Sequence, residues 1–265
     1  MNGQNTPPAG TGLPTERHAR IVQLLGESGF IRTQDVADLL GVSVETVRRD
    51  LAALESEGVL ERVHGGAALL GLRQLSEPAY AVRSEQHRAQ KQVIGELAAG
   101  LVKPEYTLFV DIGTTTLQAV RALPPDFHGR VVTNSLPIAT EVCSRFDAEV
   151  LLGGGRLRAG ELVTSGRQTR ELFGDVRADL ALLSCGGLSA QAGITDFEFD
   201  EMDGKRLMIR NAARKYLLAD SSKFDHSAPY YVADFDSLTG LVTDGVPTGS
   251  LAAALRAAGV ETVTR

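Results

Sequence analysis

Residues Asp111-Ile112-Gly113-Thr114-Thr115-Thr116 close one apolar run and open a helical one. Glycine lets the backbone turn closely, and the threonines bring hydroxyls and N–H groups to a helix N-terminus. Those are the parts of a phosphate cradle. Further apolar runs end alike, in Thr133-Asn134-Ser135, Gly153-Gly154-Gly155-Arg156, Ser184-Cys185-Gly186-Gly187 and Asp220-Ser221-Ser222-Lys223. Each alone reads equally as an ordinary turn or cap, and Gly153 to Gly155 could serve only positive φ angles. Together, at one edge of one sheet, they are hard to explain by packing. They predict a phosphate-bearing small ligand, its phosphate on Gly113–Thr116 beside Asp111, with Asn134, Gly154, Arg156, Asp220 and Lys223 around the rest. Glu201 and Lys205 stand i,i+4 in the favourable order, which by itself reads as a surface salt bridge of about 0.3–0.5 kcal/mol. Cys185 reads as a small buried hydrophobe.

A second stretch carries different chemistry. In Gly41–Leu54, GVSVETVRRDLAAL, Ser43 is a natural N-cap, and Val44, Val47, Leu51 and Leu54 share one helical face. Glu45, Thr46, Arg48, Arg49 and Ala52 take the other face or its flanks. A short helix and a tight turn precede it. A helix with an exposed Thr/Arg face in that setting is how a helix-turn-helix enters a DNA major groove.

The flanking patterns supply the scaffold for each. Glu16 to Ser28 reads as a helix with Ile21, Leu24 and Leu25 inward, and Phe30–Arg32 as extended. QDVADLL reads as a second helix with Val36, Leu39 and Leu40 inward, followed by the third from about Val44 to Glu57. Val59–Val63, the turn His64-Gly65-Gly66 and Ala67–Leu70 read as a β-wing. This divides the chain into a disordered tail at 1–15, a winged helix-turn-helix at 16–70, a linker at 71–86 and a second domain at 87–265. In that domain a helix at 89–101 precedes apolar runs at 107–112, 130–134, 149–154, 179–185, 215–220 and 238–244. Helical stretches lie between several of them, at 117–123, 137–145 and 201–213, and another follows at 250–258. Near-continuous apolar strands alternating with helices predict a parallel sheet covered on both faces, with ligands at the C-terminal strand ends.

Composition sets bounds. The chain has 265 residues, 43% of them hydrophobic, with a mean hydropathy of -0.03, enough for a sizeable core. No apolar run is long enough to span a bilayer, and no hydrophobic signal segment opens the chain. Two distant cysteines, Cys143 and Cys185, fit a reducing cytoplasm and neither a disulfide framework nor a zinc site. Net charge is -6, and residues 16–70 hold six arginines against nine acids. DNA binding therefore needs charge segregated locally, with Arg48, Arg49 and Arg62 facing phosphates and Glu55, Glu57 and Glu61 facing away.

The order R-x3-I-x2-L, VS-x2-T-x-RRDL-x2-L-x3-G-x-L-x-R-x-HGGA, from Arg17 to Ala67, resembles the DNA-binding domain of DeoR-family bacterial transcriptional regulators. Lys91, DIGTTT at 111–116, TNS at 133–135, GGGRLR at 153–158, Glu201/Lys205 and ADSSKF at 219–224 resemble that family's sensor domain. The likeness runs from about residue 16 to the end. It implies an α/β chain: an N-terminal winged helix-turn-helix, then a Rossmann-like parallel-sheet sensor domain similar to ribose-5-phosphate isomerase and CoA transferases. It implies a repressor of a sugar or polyol catabolism operon, released from its operator by a phosphorylated sugar. Thr46, Arg48 and Arg49 would then reach the major groove or flanking phosphates, Ser43 and Arg62 the DNA backbone, and His64 would sit in the wing. Lys91 lies upstream of Gly113 at a spacing like that of the isomerase's phosphate-binding lysine, although a solvated helix residue fits as well. Lys205 joins the effector set as a remnant of the isomerase-like site. The alternative is a phosphosugar isomerase-like enzyme with an appended DNA-binding domain. That isomerase relies on an acidic D-G-A-D-E loop and a K-G-G-G segment. Ser184–Leu188 holds no carboxylate and 195–200 no Lys-Gly-Gly, so no catalytic residue, cofactor or metal is expected. The expected partners are double-stranded operator DNA, a phosphorylated sugar and a second or fourth copy of the chain (homodimer or homotetramer), with no membrane.

Overall fold

The structure, a computed structural model, describes residues 14–28, 30–63, 66–69 and 77–265. The chain divides into two compact units, Met1–Ser76 and Glu77–Arg265.

The first unit runs α1 (Pro14–Ser28), β1 (Phe30–Arg32), α2 (Thr33–Leu40), α3 (Val44–Ser56), β2 (Leu60–Val63) and β3 (Gly66–Leu69). Helix α1 starts at Pro14, inside the stretch expected as tail. Gly41, at φ 63°, takes the left-handed turn between α2 and α3 that a side chain would strain. Ile21, Leu25, Val36, Val47, Leu51, Leu54, Leu60 and Ala67 form one buried core. Leu39, expected inward, is 58% exposed, and Ala37 is buried in its place. The wing has a third strand: β1 pairs antiparallel with β3, which pairs with β2. Three residues are too few to show period-2 alternation, so the pairing was not legible from residues 30–32 alone.

The second unit opens on α4 (Tyr80–Glu85) and α5 (Arg88–Ala99). It continues through β4 (Thr107–Val110), α6 (Thr114–Arg121), β5 (Arg130–Thr133), α7 (Leu136–Arg145) and β6 (Glu149–Leu152). A hairpin, β7 (Arg156–Arg158) and β8 (Val163–Ser165), leads to α8 (Arg167–Asp175) and β9 (Ala178–Leu183). Then follow β10 (Gly187–Ser189), β11 (Gly193–Asp196), α9 (Phe199–Asn211), β12 (Ala212–Leu218) and β13 (Tyr230–Ala233). The chain closes with β14 (Gly240–Val242), α10 (Gly249–Ala257) and β15 (Glu261–Val263).

The main sheet is parallel, in the order β15-β14-β12-β9-β4-β5-β6. Side-chain alternation loads both faces. Leu108, Val110, Leu180, Leu182, Tyr216 and Leu218 pack with Ile94 of α5, Val120 of α6 and Ile138 of α7. Phe109, Ala181, Leu183 and Leu217 pack with Phe173 of α8, Met208 of α9 and Leu251 of α10. Phe109 meets Phe173 edge to face at 5.7 Å, a geometry worth about 0.5–1.5 kcal/mol beyond burial. The strand order reverses between β4 and β9. At such a switch point the connecting helices leave in opposite directions and open a crevice at the strand ends.

The six expected strands are present. The additions are β15, the antiparallel sheet β10-β11-β13, the hairpin β7-β8 and helices α4 and α8. Helix α4 lies in the stretch 71–86 expected as linker.

Candidate functional site

Two places answer to the predicted chemistry. In the first unit, the Ser43 side chain accepts a hydrogen bond from the Thr46 N–H at 3.1 Å and so caps α3. Its hydroxyl also lies 2.8 Å from Thr46 Oγ1, so the Thr46 hydroxyl is already engaged. Arg48 and Arg49 project from the exposed face with side chains 62% and 80% accessible. Among the described residues each pairs with Glu45 of its own helix, at 3.6 and 3.8 Å, contacts worth a few tenths of a kcal/mol. The expected segregation is incomplete. Arg62 Nη1 lies 3.9 Å from Glu55, and Glu55 also accepts the Arg62 N–H, so this acid does not face away. The Glu61 side chain and His64 lie outside the described residues.

One residue of the Thr-x-Arg-Arg-Asp-Leu stretch does structural work. Asp50 is buried and takes a two-pronged contact from Arg17 of α1, Nε at 2.8 Å and Nη2 at 2.9 Å. Burial alone would raise the Asp50 carboxyl, but Arg17 and then His18 hold it below the ordinary carboxylate range. The pair locks α1 onto α3, leaving Arg48 and Arg49 on the outer face.

In the second unit the switch point is built around Asp111, just past β4. Its Oδ2 accepts the Ser184 N–H at 2.9 Å and the Ser184 hydroxyl at 2.8 Å, tying the end of β4 to the end of β9. Lys205, from α9, is 2% exposed and directs its ammonium into this knot. It lies 2.9 Å from Asp111 Oδ2, contacts Asp196 at the end of β11, and donates to the Ser184 carbonyl at 2.8 Å. Burial works against the charge, but Asp111 and Asp196 outweigh it and hold the lysine well above its ordinary pKa. Three donors meet three acceptors. Lys205 is therefore committed to the protein and is not the surface partner of Glu201 that spacing alone predicts. Asp196 was missed: it stands in a short strand with no strong pattern. The signal that could have found it is an inward-facing lysine, which needs a buried carboxylate.

Gly113 begins α6 with φ 128°, a conformation that disfavours a side chain. Thr114, Thr115 and Thr116 are all buried, and the Thr116 hydroxyl donates to the Gly113 carbonyl at 3.0 Å. Lys91, from α5, is 6% exposed, so the solvated reading does not hold. Its ammonium donates to the Arg83 carbonyl at 2.5 Å and makes no ion pair among the described residues. Burial pushes its pKa down, and Asp220 draws it up while Lys223 adds to the depression, which places the three groups in one electrostatic neighbourhood. Asp220 is itself turned to the backbone, accepting the Ser222 N–H at 3.1 Å. Lys223 likewise has no ion pair among the described residues. Two lysines, one desolvated, stand with no carboxylate in contact among the described residues.

The remaining expected residues make contacts of their own within the unit. The Asn134 amide donates to the Thr164 carbonyl at 2.7 Å and joins β5 to the hairpin β7-β8. Gly154 accepts the Thr169 hydroxyl at 2.7 Å, and a Cβ there would stand 2.8 Å from Gln168 Oε1. Of the three glycines only Gly155 has a positive φ, 131°. Arg156 is exposed and paired with Asp200. Glu201 pairs with Arg158 at 2.6 Å, yet burial pushes its carboxyl up to about 8. Burial raises the Cys185 thiol to about 12, which keeps it protonated and unreactive at neutral pH. Among the described residues no group of three or more His, Cys, Asp or Glu is placed to hold a metal ion, and no helix is long and apolar enough to cross a membrane.

Known proteins line up with both halves. Residues 17–71 match the DeoR-like helix-turn-helix domain, and residues 86–245 the DeoR C terminal sensor domain. The HTH-type transcriptional repressor CsqR of Escherichia coli is 31% identical over 253 residues, covering 96% of this chain and 95% of that protein. The glycerol-3-phosphate regulon repressor of the same organism is 30% identical, covering 89% of this chain and 93% of its own. Among solved structures, ribose 5-phosphate isomerase A from Methanocaldococcus jannaschii aligns over 52% of this chain and 55% of its own at 12% identity, with a TM-score of 0.40. With both of its domains matched in order and full-length relatives at this identity, the chain belongs to the DeoR family of helix-turn-helix transcriptional regulators.

Proposed function

We propose that this protein is a DNA-binding repressor of a sugar or polyol catabolism operon, and that a phosphorylated sugar releases it from its operator. The relatives named above are repressors, one of them of a glycerol-3-phosphate regulon. The observation that carries the effector reading is the contrast between buried lysines. Lys205 is neutralised by two carboxylates, whereas Lys91, among the described residues, meets a carbonyl. A desolvated cation with no ion pair among the described residues, near Lys223 and Asp220 and with the α6 N-terminus in the same unit, favours a dianionic group. The phosphate takes Lys91, Lys223 and the Gly113–Thr115 backbone. Asp220 stands where a sugar hydroxyl is recognised.

Arg48 and Arg49 supply the phosphate and base contacts on DNA, with α3 in the major groove. The protein acts as a dimer or tetramer on repeated half-sites, since one such helix offers a small interface. Release requires that the sugar phosphate bind the DNA-free arrangement more tightly, with a coupling of about 1–3 kcal/mol.

Two measurements test this. A thermal-shift panel of sugar phosphates should contain at least one that raises the melting temperature. A gel shift on the gene's own upstream region should then show that compound weakening the complex. A panel with no stabilising member removes the effector reading, and a protein indifferent to its own upstream DNA removes the repressor reading.

A further inference from the structure

We propose that residues 77–85 form a clasp on the sensor unit, shut by Arg83 and by Lys91, and that an anion captured by Lys91 opens it. The inference rests on the effector reading above and concerns the regulation of that same site. Helix α4 buries none of its residues, so apolar packing contributes little to holding it down. Polar contacts do that instead, and they converge on Arg83. Its guanidinium contacts Glu161 in the hairpin β7-β8, which ties the segment to the rest of the unit, while Glu77, at 2.5 Å, and the Pro78 carbonyl, at 2.8 Å, brace it from within the segment. All three side chains are largely shielded from water, where such contacts are stronger than on an open surface.

The second fastening is Lys91, whose ammonium reaches across to the Arg83 carbonyl. That bond uses the group on which the effector site depends. A phosphate oxygen carries the opposite charge, so it attracts the ammonium more strongly than a neutral carbonyl does. The ammonium has two further donors, so the anion opens the clasp by drawing the flexible lysine tip toward its charge and away from the Arg83 carbonyl. Between α4 and α5 the joint is His87, at φ 54°, a left-handed position that a non-glycine residue holds only at a cost. Glu77 is also the first residue of the sensor unit, following directly on the DNA-binding unit in the chain. Arg83 is thus a positioning residue: it fixes the outgoing end of the sensor without contacting the effector itself.

Hydrogen–deuterium exchange on the full-length protein tests the clasp, with inorganic phosphate at tens of millimolar as probe and melting temperature as the report of binding. In the wild type, peptides spanning 79–87 should exchange about tenfold faster with phosphate than without. Arg83→Ala should show that fast exchange without phosphate and keep the phosphate-induced rise in melting temperature. Lys91→Met should exchange fast and ignore phosphate in both measurements. Phosphate that stabilises the wild type while leaving 79–87 unchanged or slower overturns the clasp and leaves the anion site standing. Unchanged exchange in ligand-free Arg83→Ala also overturns the clasp. Phosphate that neither stabilises the wild type nor alters its exchange overturns the clasp and the anion site together.

Discussion

The outer face of α3 and the strand-end crevice of the sensor both collect positive charge, and they handle it in opposite ways. Arg48 and Arg49 stand in water, paired among the described residues with Glu45 of their own helix. Lys91 and Lys205 are withdrawn from water almost completely. A solvated arginine stays mobile and charged at little cost. Many such residues can adapt to a polyanion whose affinity comes largely from released counter-ions. A buried ammonium costs several kcal/mol unless matched, so it is kept only where a partner of fixed geometry is present or arrives. The difference separates recognition of an extended charged surface from recognition of one small anion.

The contrast is broken most severely at Lys205. Lys205→Met strands Asp111 and Asp196 in a buried site, and urea unfolding should show a loss of about 3–5 kcal/mol. A loss under 1 kcal/mol would mean that the knot is no more than a surface pair. Next, Arg48→Ala should weaken operator binding by about 1–3 kcal/mol in a gel-shift titration, with folding stability within about 0.5 kcal/mol of wild type. An operator affinity that does not move removes Arg48 from the interface.

Glu201 sharpens the comparison through pH. Its folded-state carboxyl is raised to about 8 by burial, above the ordinary value of 4.5 that it regains on unfolding. Between those values the folded protein holds a proton that the unfolded chain has released, so stability falls as pH rises through the window. Glu201→Gln should flatten that decline and leave the protein more stable near pH 8, by about 1–2 kcal/mol in urea melts at a series of pH values. A slope identical to wild type would refute the burial argument. A small stability change is expected for Lys91→Met, within about 1 kcal/mol of wild type, because it removes a desolvated charge that makes no ion pair among the described residues. Its effect should appear as loss of stabilisation by phosphate. A wild-type response in that variant would move the anion elsewhere.

The elements that position these residues were largely readable from periodicity. The α3 register follows from Val47, Leu51 and Leu54 recurring at helical spacing, and the Ser43 cap follows from its place one residue before the helix. The parallel sheet follows from apolar runs too continuous for a half-exposed strand, and the two packed faces bear that out. Short elements were not readable. Strands β7, β8 and β10 have three residues each, and α4 has six without a buried face, so none offers a full period. The site residues divide along the same line. Asp111 and Gly113 stand out because a strand end and a helix start meet there. Asp50, Asp196 and Arg83 matter through partners 33, 9 and 78 positions away.

Local order therefore settled which residues are apolar, where helices begin and which strands are buried on both sides. These depend on neighbours within a few positions, and a single chain displays them directly. Only the folded arrangement decided which cations are free. Lys91 and Lys205 look alike along the chain. Lys205 meets two carboxylates, one just past β4 and one at the end of β11, and Lys91 meets a carbonyl, because charge is matched through space and not along the backbone.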